Sequence, residues 1–443
     1  MNQKKILIII SIILALVSFV IIIKQDKPNM KDSFECIVDE SDTLKLNYKV
    51  FVESSGSMKG YLNGETEFAD VLWDLFKDII ESKTNKDINF YFIENNIVDQ
   101  VQIPMINPLE KIKYFMDNLN KNVKGSTSDM ATMIGGVIDS TKENDISLFI
   151  SDCIFSPGKR KNPINYLAEQ QNIIESRINK KMIYDSTDLS FVLLQYSVMF
   201  NGTYFNMEDR PTKLKDEKRP FYIWIIGNKV AINRFIKSVK VKHSYLKNKL
   251  VVLSASENKA FKIIPTPLEG CSFIVNNETK VIIDDKDTTK KTFSFREISK
   301  TKASSDSNVI SFQLIVCLKS VYDFLNFVSD STSSPQSIIE NKENYEFSDP
   351  TFMVDKSIKS GNTAALITIK KSNITRVDSS LLELRLKYIK KDKWYEIISI
   401  EDDRNIKDNL DKTFGFKYLV NGFINTINKS EVLQTQKFII KGN

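Results

Sequence analysis

The chain's 443 residues allow two or three domains, and a hydrophobic share of 42% supports ordinary packed cores and excludes global disorder. Its 62 basic and 56 acidic residues leave a net charge of only +6, spread along the chain, with no basic stripe carrying interleaved aromatics. A nucleic-acid footprint is therefore not expected. His243, the single histidine, sits in a Lys-rich stretch and reads as a surface residue. Any Ser-His-Asp or Cys-His mechanism would have to use it, no nucleophile motif lies near it, and zinc sites built on histidine are excluded by count.

Ile6 to Ile23 is uncharged for eighteen residues, broken only by Ser11 and Ser18. As a helix it would span about 27 Å, close to the hydrocarbon thickness of a bilayer. Lys4 and Lys5 precede it, while Lys24, Asp26 and Lys27 nearly balance behind it. The charge bias predicts a cytoplasmic N-terminus and an extracytoplasmic remainder. A cleaved signal peptide is the competing reading, but no small-x-small cleavage site follows, so residues 1–27 are read as an uncleaved, single-pass signal anchor. Residues 28–45 read as a polar tether.

Residues 46–243 alternate strand and helix. Tyr48–Val52 is a buried strand ending at Glu53. Phe68, Val71, Leu72, Leu75, Phe76, Ile79 and Ile80 keep helical spacing. Ile88–Ile93 is a second strand; Asn107 caps a helix with Pro108 in its first turn and Leu109, Ile112, Met116 and Leu119 on its apolar face. A helix over Ser128–Ser140 leads to a strand over 146–151. Asn162-Pro163 opens another helix, with Ile164, Leu167, Ile174 and Ile178 inward. Apolar strands over 189–199 and Phe221–Ile226, separated by a polar insert at 201–220, precede a last helix, Val230–Val239. This order predicts an α/β fold: a doubly wound, mostly parallel sheet covered on both faces.

From about 246 the rhythm changes to short β-like runs: Leu250–Leu253, Phe261–Ile264, Ser272–Val275, Lys280–Ile283, Val309–Val316, Ala364–Ile369, Leu382–Tyr388 and Gln436–Ile440. Residues 246–443 are thus expected to be a mainly β, sandwich-like C-terminal region, as one unit or as two divided near 330–345. Phe416, Leu419, Val420, Phe423 and Ile427 interrupt it with one amphipathic helix. Cys271 and Cys317 are disulfide candidates in an oxidising exterior, Cys153 reads as a buried apolar residue, and Asp402-Asp403 reads as a solvated loop pair.

Polar residues gather where the first strand ends, in Glu53-Ser54-Ser55-Gly56-Ser57-Met58. Hydroxyl and carboxylate oxygens suit a hard divalent cation; a serine-rich turn with Gly56 at positive φ is the alternative. Two further stretches bear on this: the loop Lys124-Gly-Ser-Thr127-Ser-Asp129 opening a helix, and the strand Ile146–Ser151 ending in Asp152. Together the three resemble the metal-ion-dependent adhesion site of von Willebrand factor A domains. That family carries Asp-x-Ser-x-Ser after its first strand, a Thr in the next site loop and an Asp closing its fourth strand. The matching positions are Glu53, Ser55, Ser57, Thr127 and Asp152, with Glu53 replacing the family's leading Asp by a side chain one methylene longer. The resemblance covers roughly residues 46–240. It implies Mg²⁺ or Mn²⁺ at these residues, with Ser55, Ser57 and Thr127 as direct ligands and an acidic side chain of a protein partner filling an open position. The chain is accordingly read as a membrane-anchored, non-enzymatic protein mediating cation-dependent protein–protein interaction. The alternatives are a metal-dependent phosphate or sulfate ester hydrolase and a scaffold whose ion site no longer functions.

Overall fold

Residues 46–52 alternate between the two faces of a strand. Leu46, Tyr48, Val50 and Val52 enter one apolar core and Phe51 the other, all buried. A strand greasy on both sides must lie inside a sheet, and β1 (Leu46–Glu53) does, hydrogen-bonded in parallel to β2 (Asn85–Glu94) and β4 (Asp145–Ser151). The computed structural model describes residues 45–254 except 65, 83–84, 105–106, 124–128, 156, 158–161, 186–187 and 241–243, and also describes 393–427. Between and beyond these it describes strands at 263–267, 282–283, 290–294, 310–317, 337–340, 346–347, 351–354, 363–371, 379–388 and 432–441.

The main sheet has seven strands in the order β3-β2-β1-β4-β6-β5-β7, where β3 is Ile97–Gln100, β5 Leu189–Phe205, β6 Pro211–Asn228 and β7 Leu246–Val252. Only its centre, β2-β1-β4, is parallel; β3, β6, β5 and β7 each join their neighbours antiparallel. The α/β class is as expected, while the sheet is mixed. The reason is a long hairpin. The polar stretch 201–220 is no insert, because β5 and β6 run through it as strands of 17 and 18 residues. Polar side chains there face outward while Tyr204, Leu214 and Arg219 face in, so composition hid the strand.

Helices cover both faces. On one side lie α1 (Phe68–Glu81), α2 (Pro108–Asn122) and α5 (Lys229–Ser238); on the other lie α3 (Met130–Ser140) and α4 (Pro163–Tyr184). Asparagine carboxamides at 107, 162 and 228 accept N–H bonds from the first turns of α2, α4 and α5. Two inward assignments fail: Leu109 and Ile164 are exposed, each just inside a capped first turn, where the helix has not yet reached the sheet. In α2 the core position falls to Phe115, which stacks on Phe90 at 4.2 Å between ring centroids.

The C-terminal part of the chain returns to this sheet. Leu246–Val252, expected to begin a separate β region, is edge strand β7, paired with β5. A one-turn helix at Trp394–Ile397 and α6 (Phe416–Ile427) then complete the second face. Phe416 stacks on Tyr222 at 4.0 Å, and Phe423 lies 4.9 Å from Trp224. α6 also approaches α4 closely: a Cβ on Gly422 would sit 3.0 Å from Ile174. The remaining strands form two further sheets, 337–340, 379–388, 432–441, 290–294 and 282–283 in one, and 346–347, 363–371, 310–317 and 263–267 in the other, with 351–354 also on 363–371. Residues 1–44, including Ile6–Ile23, the segment expected to be a membrane anchor, and Cys36, lie outside the described residues, as do His243 and Cys271. Among the described residues no helix is long and apolar enough to cross a membrane.

At the amino end of β4, Asp145 accepts hydrogen bonds from Lys49 Nζ, paired at 2.6 Å, from Lys142 N–H at 3.0 Å and from Asn47 Nδ2 at 3.2 Å. Burial alone would raise its pKa, but the Lys49 bond and these donors together hold it below the ordinary range. Its stabilisation is therefore present above the unfolded pKa of about 3.9 and lost as pH falls through the lower folded value. Asp145→Asn is expected to cost roughly 1–3 kcal/mol at neutral pH. The deficit should shrink towards zero in acid, as read by urea unfolding across the pH range.

Candidate functional site

Because β2, β1 and β4 are parallel, their carboxyl ends share one rim, where an open α/β sheet places ligands. β1 leaves the sheet at Glu53. Ser54 N–H still bonds to Ile93 O at 2.9 Å, and Ser54 Oγ reaches Asn122 O at the end of α2. The chain then turns: Ser55 Oγ and Ser57 Oγ lie 3.2 Å apart, and Met58 N–H points to Ser55 Oγ at 3.4 Å. A single 3-10 turn, Met58–Tyr61, fixes the turn from behind. Its seat is a glycine contact, since a Cβ on Gly202 of β5 would fall 2.5 Å from Gly60 Cα. No side chain fits between two backbones that close. Gly202→Ala is expected to cost about 1–3 kcal/mol by overpacking and to displace the serine loop, seen as lower thermal stability together with altered amide shifts at 55–61.

β4 supplies the other half. Ser151 Oγ donates to Glu53 Oε2, and Cys153 N–H donates to Ser151 Oγ at 2.7 Å. Cys153 adopts φ 57°, a left-handed conformation rarely found in cysteine. Such local strain gathers where the surroundings over-determine a site. The twist carries Asp152 to the strand tip, where Oδ1 accepts from Ile154 N–H at 3.2 Å and Oδ2 has no hydrogen-bond partner among the described residues. Burial pushes the Asp152 carboxyl above its ordinary pKa, opposed by the nearby Ser57 hydroxyl, the Ile154 N–H and the charge of Arg219.

The structure therefore brings Ser55, Ser57 and Asp152 together at one rim, with Glu53 beside them but already engaged by Ser151. Thr127 lies outside the described residues. The chain re-enters next to that rim: Asp129 N–H donates to Asn95 Oδ1 at 2.8 Å just past β2, and Asp129 Oδ1 caps α3 through Thr132 N–H. Asp129 is thus a helix cap. Cys153 is buried, accepts a bond from Trp224 Nε1 at 3.4 Å, and burial pushes its thiol pKa far upward, so it is an inert core residue.

A second layer of the site was not legible in the sequence. Arg219, on β6 just beyond the tip of β4, has no exposed surface. Its Nη1 donates to Leu410 O at 2.8 Å and Lys412 O at 2.9 Å, and its guanidinium lies 4.7 Å above the centre of the Tyr204 ring. Asp403, expected in solvent, is wholly buried: it accepts from Tyr204 OH at 2.5 Å and from Met207 N–H at 2.8 Å. Burial raises its pKa, against the Tyr204 hydroxyl, the backbone donors and Arg219. Thr413 Oγ1 bonds Tyr222 OH at 2.8 Å, level with Ser151. Residues 401–413 thus form a strap over the strand ends, closed at its base by the short parallel pair of Ser399–Ile400 with Thr413–Phe414. An arginine just before the long apolar run of β6 was the one available signal; nothing marked Asp403.

Among the described residues no three His, Cys, Asp or Glu side chains cluster as a metal site. A cation at this rim would rest on hydroxyls and one carboxylate, a set of hard oxygen donors that fits Mg²⁺ or Mn²⁺, and Asp152 Oδ2 is the buried acceptor lacking a partner. No family model matches the chain, and no curated protein or solved structure matches it.

Proposed function

We propose that this chain is a membrane-anchored, extracytoplasmic interaction protein whose von Willebrand A-like domain binds a protein ligand at the carboxyl rim of its sheet. Mg²⁺ or Mn²⁺ would be held by Ser55, Ser57, Thr127 and Asp152. Glu53, bonded to Ser151, would orient the strand tips without itself ligating. The bound ion would supply a point of positive charge for an acidic group. The observation that carries the reading is the buried Asp152 Oδ2, which has no hydrogen-bond partner among the described residues, beside two serine hydroxyls 3.2 Å apart. A buried carboxylate left in that state is costly unless something completes it. The hydrolase alternative needs a base on a serine; among the described residues Ser55 Oγ meets Ser57 Oγ and Met58 N–H, which supply none there.

Titrating Mg²⁺ and Mn²⁺ into the full chain in detergent should release binding heat and raise the melting temperature, and Ser55→Ala should abolish both. Equal heats and melting curves for the two proteins would overturn the ion site.

A further inference from the structure

Arg219 combines complete burial with unused hydrogen-bonding capacity. One edge of its guanidinium is spoken for, Nη1 being shared among the strap carbonyls of Asn409, Leu410 and Lys412. The other edge, Nε and Nη2, has no acceptor among the described residues. That pair of parallel N–H groups is the fork that receives a carboxylate two-pronged. Asp152 does not fill it, for no ion pair joins them within 4.0 Å, although the Arg219 charge acts on the Asp152 carboxyl. Arg219 Nε, Arg219 Nη2 and Asp152 Oδ2 are thus all buried and, among the described residues, without a hydrogen-bond partner.

We propose that the Nε–Nη2 edge of Arg219 is the receptor for a single carboxylate brought to this rim by a ligand. The proposal rests on the reading of the rim as the binding face and adds to it the residue that selects ligand chemistry. The free Nε–Nη2 edge offers two parallel N–H groups in one plane, which match the two coplanar oxygens of a carboxylate. Tyr204 against the guanidinium face keeps the fork in one plane, leaving a planar acceptor as the matching shape. The strap engages the opposite edge, so a ligand need not displace Asn409, Leu410 or Lys412 from Nη1.

The experiment uses the full chain in detergent, with Mg²⁺ and separately with chelator. Acetate is titrated against acetamide, and a capped Gly-Glu-Gly peptide against Gly-Gln-Gly, by calorimetry and thermal melting, with phosphate as a further anion. The carboxylate of each pair should bind and the amide should not. Arg219→Lys, which keeps the charge and loses the fork, should weaken carboxylate binding on the order of tenfold, about 1.4 kcal/mol. Tighter binding of the Glu peptide than of acetate assigns the carboxylate to a protein side chain; equal binding assigns it to a free small acid. Carboxylates and amides behaving alike, phosphate binding best, or Arg219→Lys leaving carboxylate affinity unchanged would each overturn the proposal. Ser55→Ala separates the two ideas. Loss of the Mg²⁺ response with carboxylate selectivity intact in chelator leaves Arg219 standing on its own, and a normal Mg²⁺ response without selectivity removes Arg219 alone.

Discussion

Phe423→Ala is expected to destabilise the seven-stranded domain by about 3–5 kcal/mol, a large share of the roughly 5–15 kcal/mol that holds an ordinary domain together. The size follows from where the side chain sits. Phe423 is fully buried, 4.9 Å from the Trp224 ring and 4.8 Å from that of Phe191, so its removal leaves a cavity against β5 and β6 rather than a dent in the surface. Denaturant unfolding of the full chain, followed by tryptophan fluorescence, measures the cost, because Trp224 reports directly on that contact. Ile183→Ala, at a 70% exposed position on α4, is the control and should stay within about 0.5 kcal/mol of the parent. A Phe423→Ala cost no larger than the control's would mean that α6 merely rests on the sheet. The expected loss would establish that residues almost two hundred positions beyond the end of β6 belong to the same folding unit.

That long return explains what the sequence could and could not disclose. Period-two and period-3.6 patterns are local, so β1, α1, α3, β4 and α6 were all readable within a residue or two of their ends. Pairing is not local. The run Leu250–Leu253 looks the same whether it starts a new sandwich or closes an old sheet, and the apolar stripe of α6 announces a partner without naming it. The candidate site divides the same way. Ser55, Ser57 and Asp152 follow strands whose ends parallel pairing must align, so their meeting was foreseeable. Arg219 and Asp403 meet only because β6 is longer than its apolar stretch and because the strap crosses it. Asp402 and Asp403 are neighbours of identical chemistry, yet Asp402 pairs with Arg404 at the surface while Asp403 is enclosed by Tyr204 and Met207. No propensity separates them; the separation is made by tertiary packing.

Arg219→Ala should produce the other large effect, a loss of about 3–5 kcal/mol, because it removes a fully buried side chain together with a charge that acts on two buried acids. The three carbonyls of Asn409, Leu410 and Lys412 would lose their donor at the same moment, so the strap should loosen before the sheet unfolds. Limited trypsin digestion reads this directly as early cleavage after Arg404 or Lys407. The pH dependence then tells electrostatics from packing. Asp403 has its pKa raised in the folded state by burial, against the pull of Arg219. A raised carboxyl contributes stability below the unfolded pKa of about 3.9, and that contribution is lost as pH rises through the folded value. Deleting the Arg219 charge raises the folded value further. The deficit of Arg219→Ala relative to the parent should therefore be smallest in acid, where Asp403 is neutral in both proteins, and grow towards neutral pH. Arg219→Lys, keeping the charge, should flatten that slope while still losing part of the strap's anchoring. A deficit that is constant across pH would assign Arg219 to carbonyl bonding and packing alone, and the strap would then be held over the rim by geometry rather than by charge.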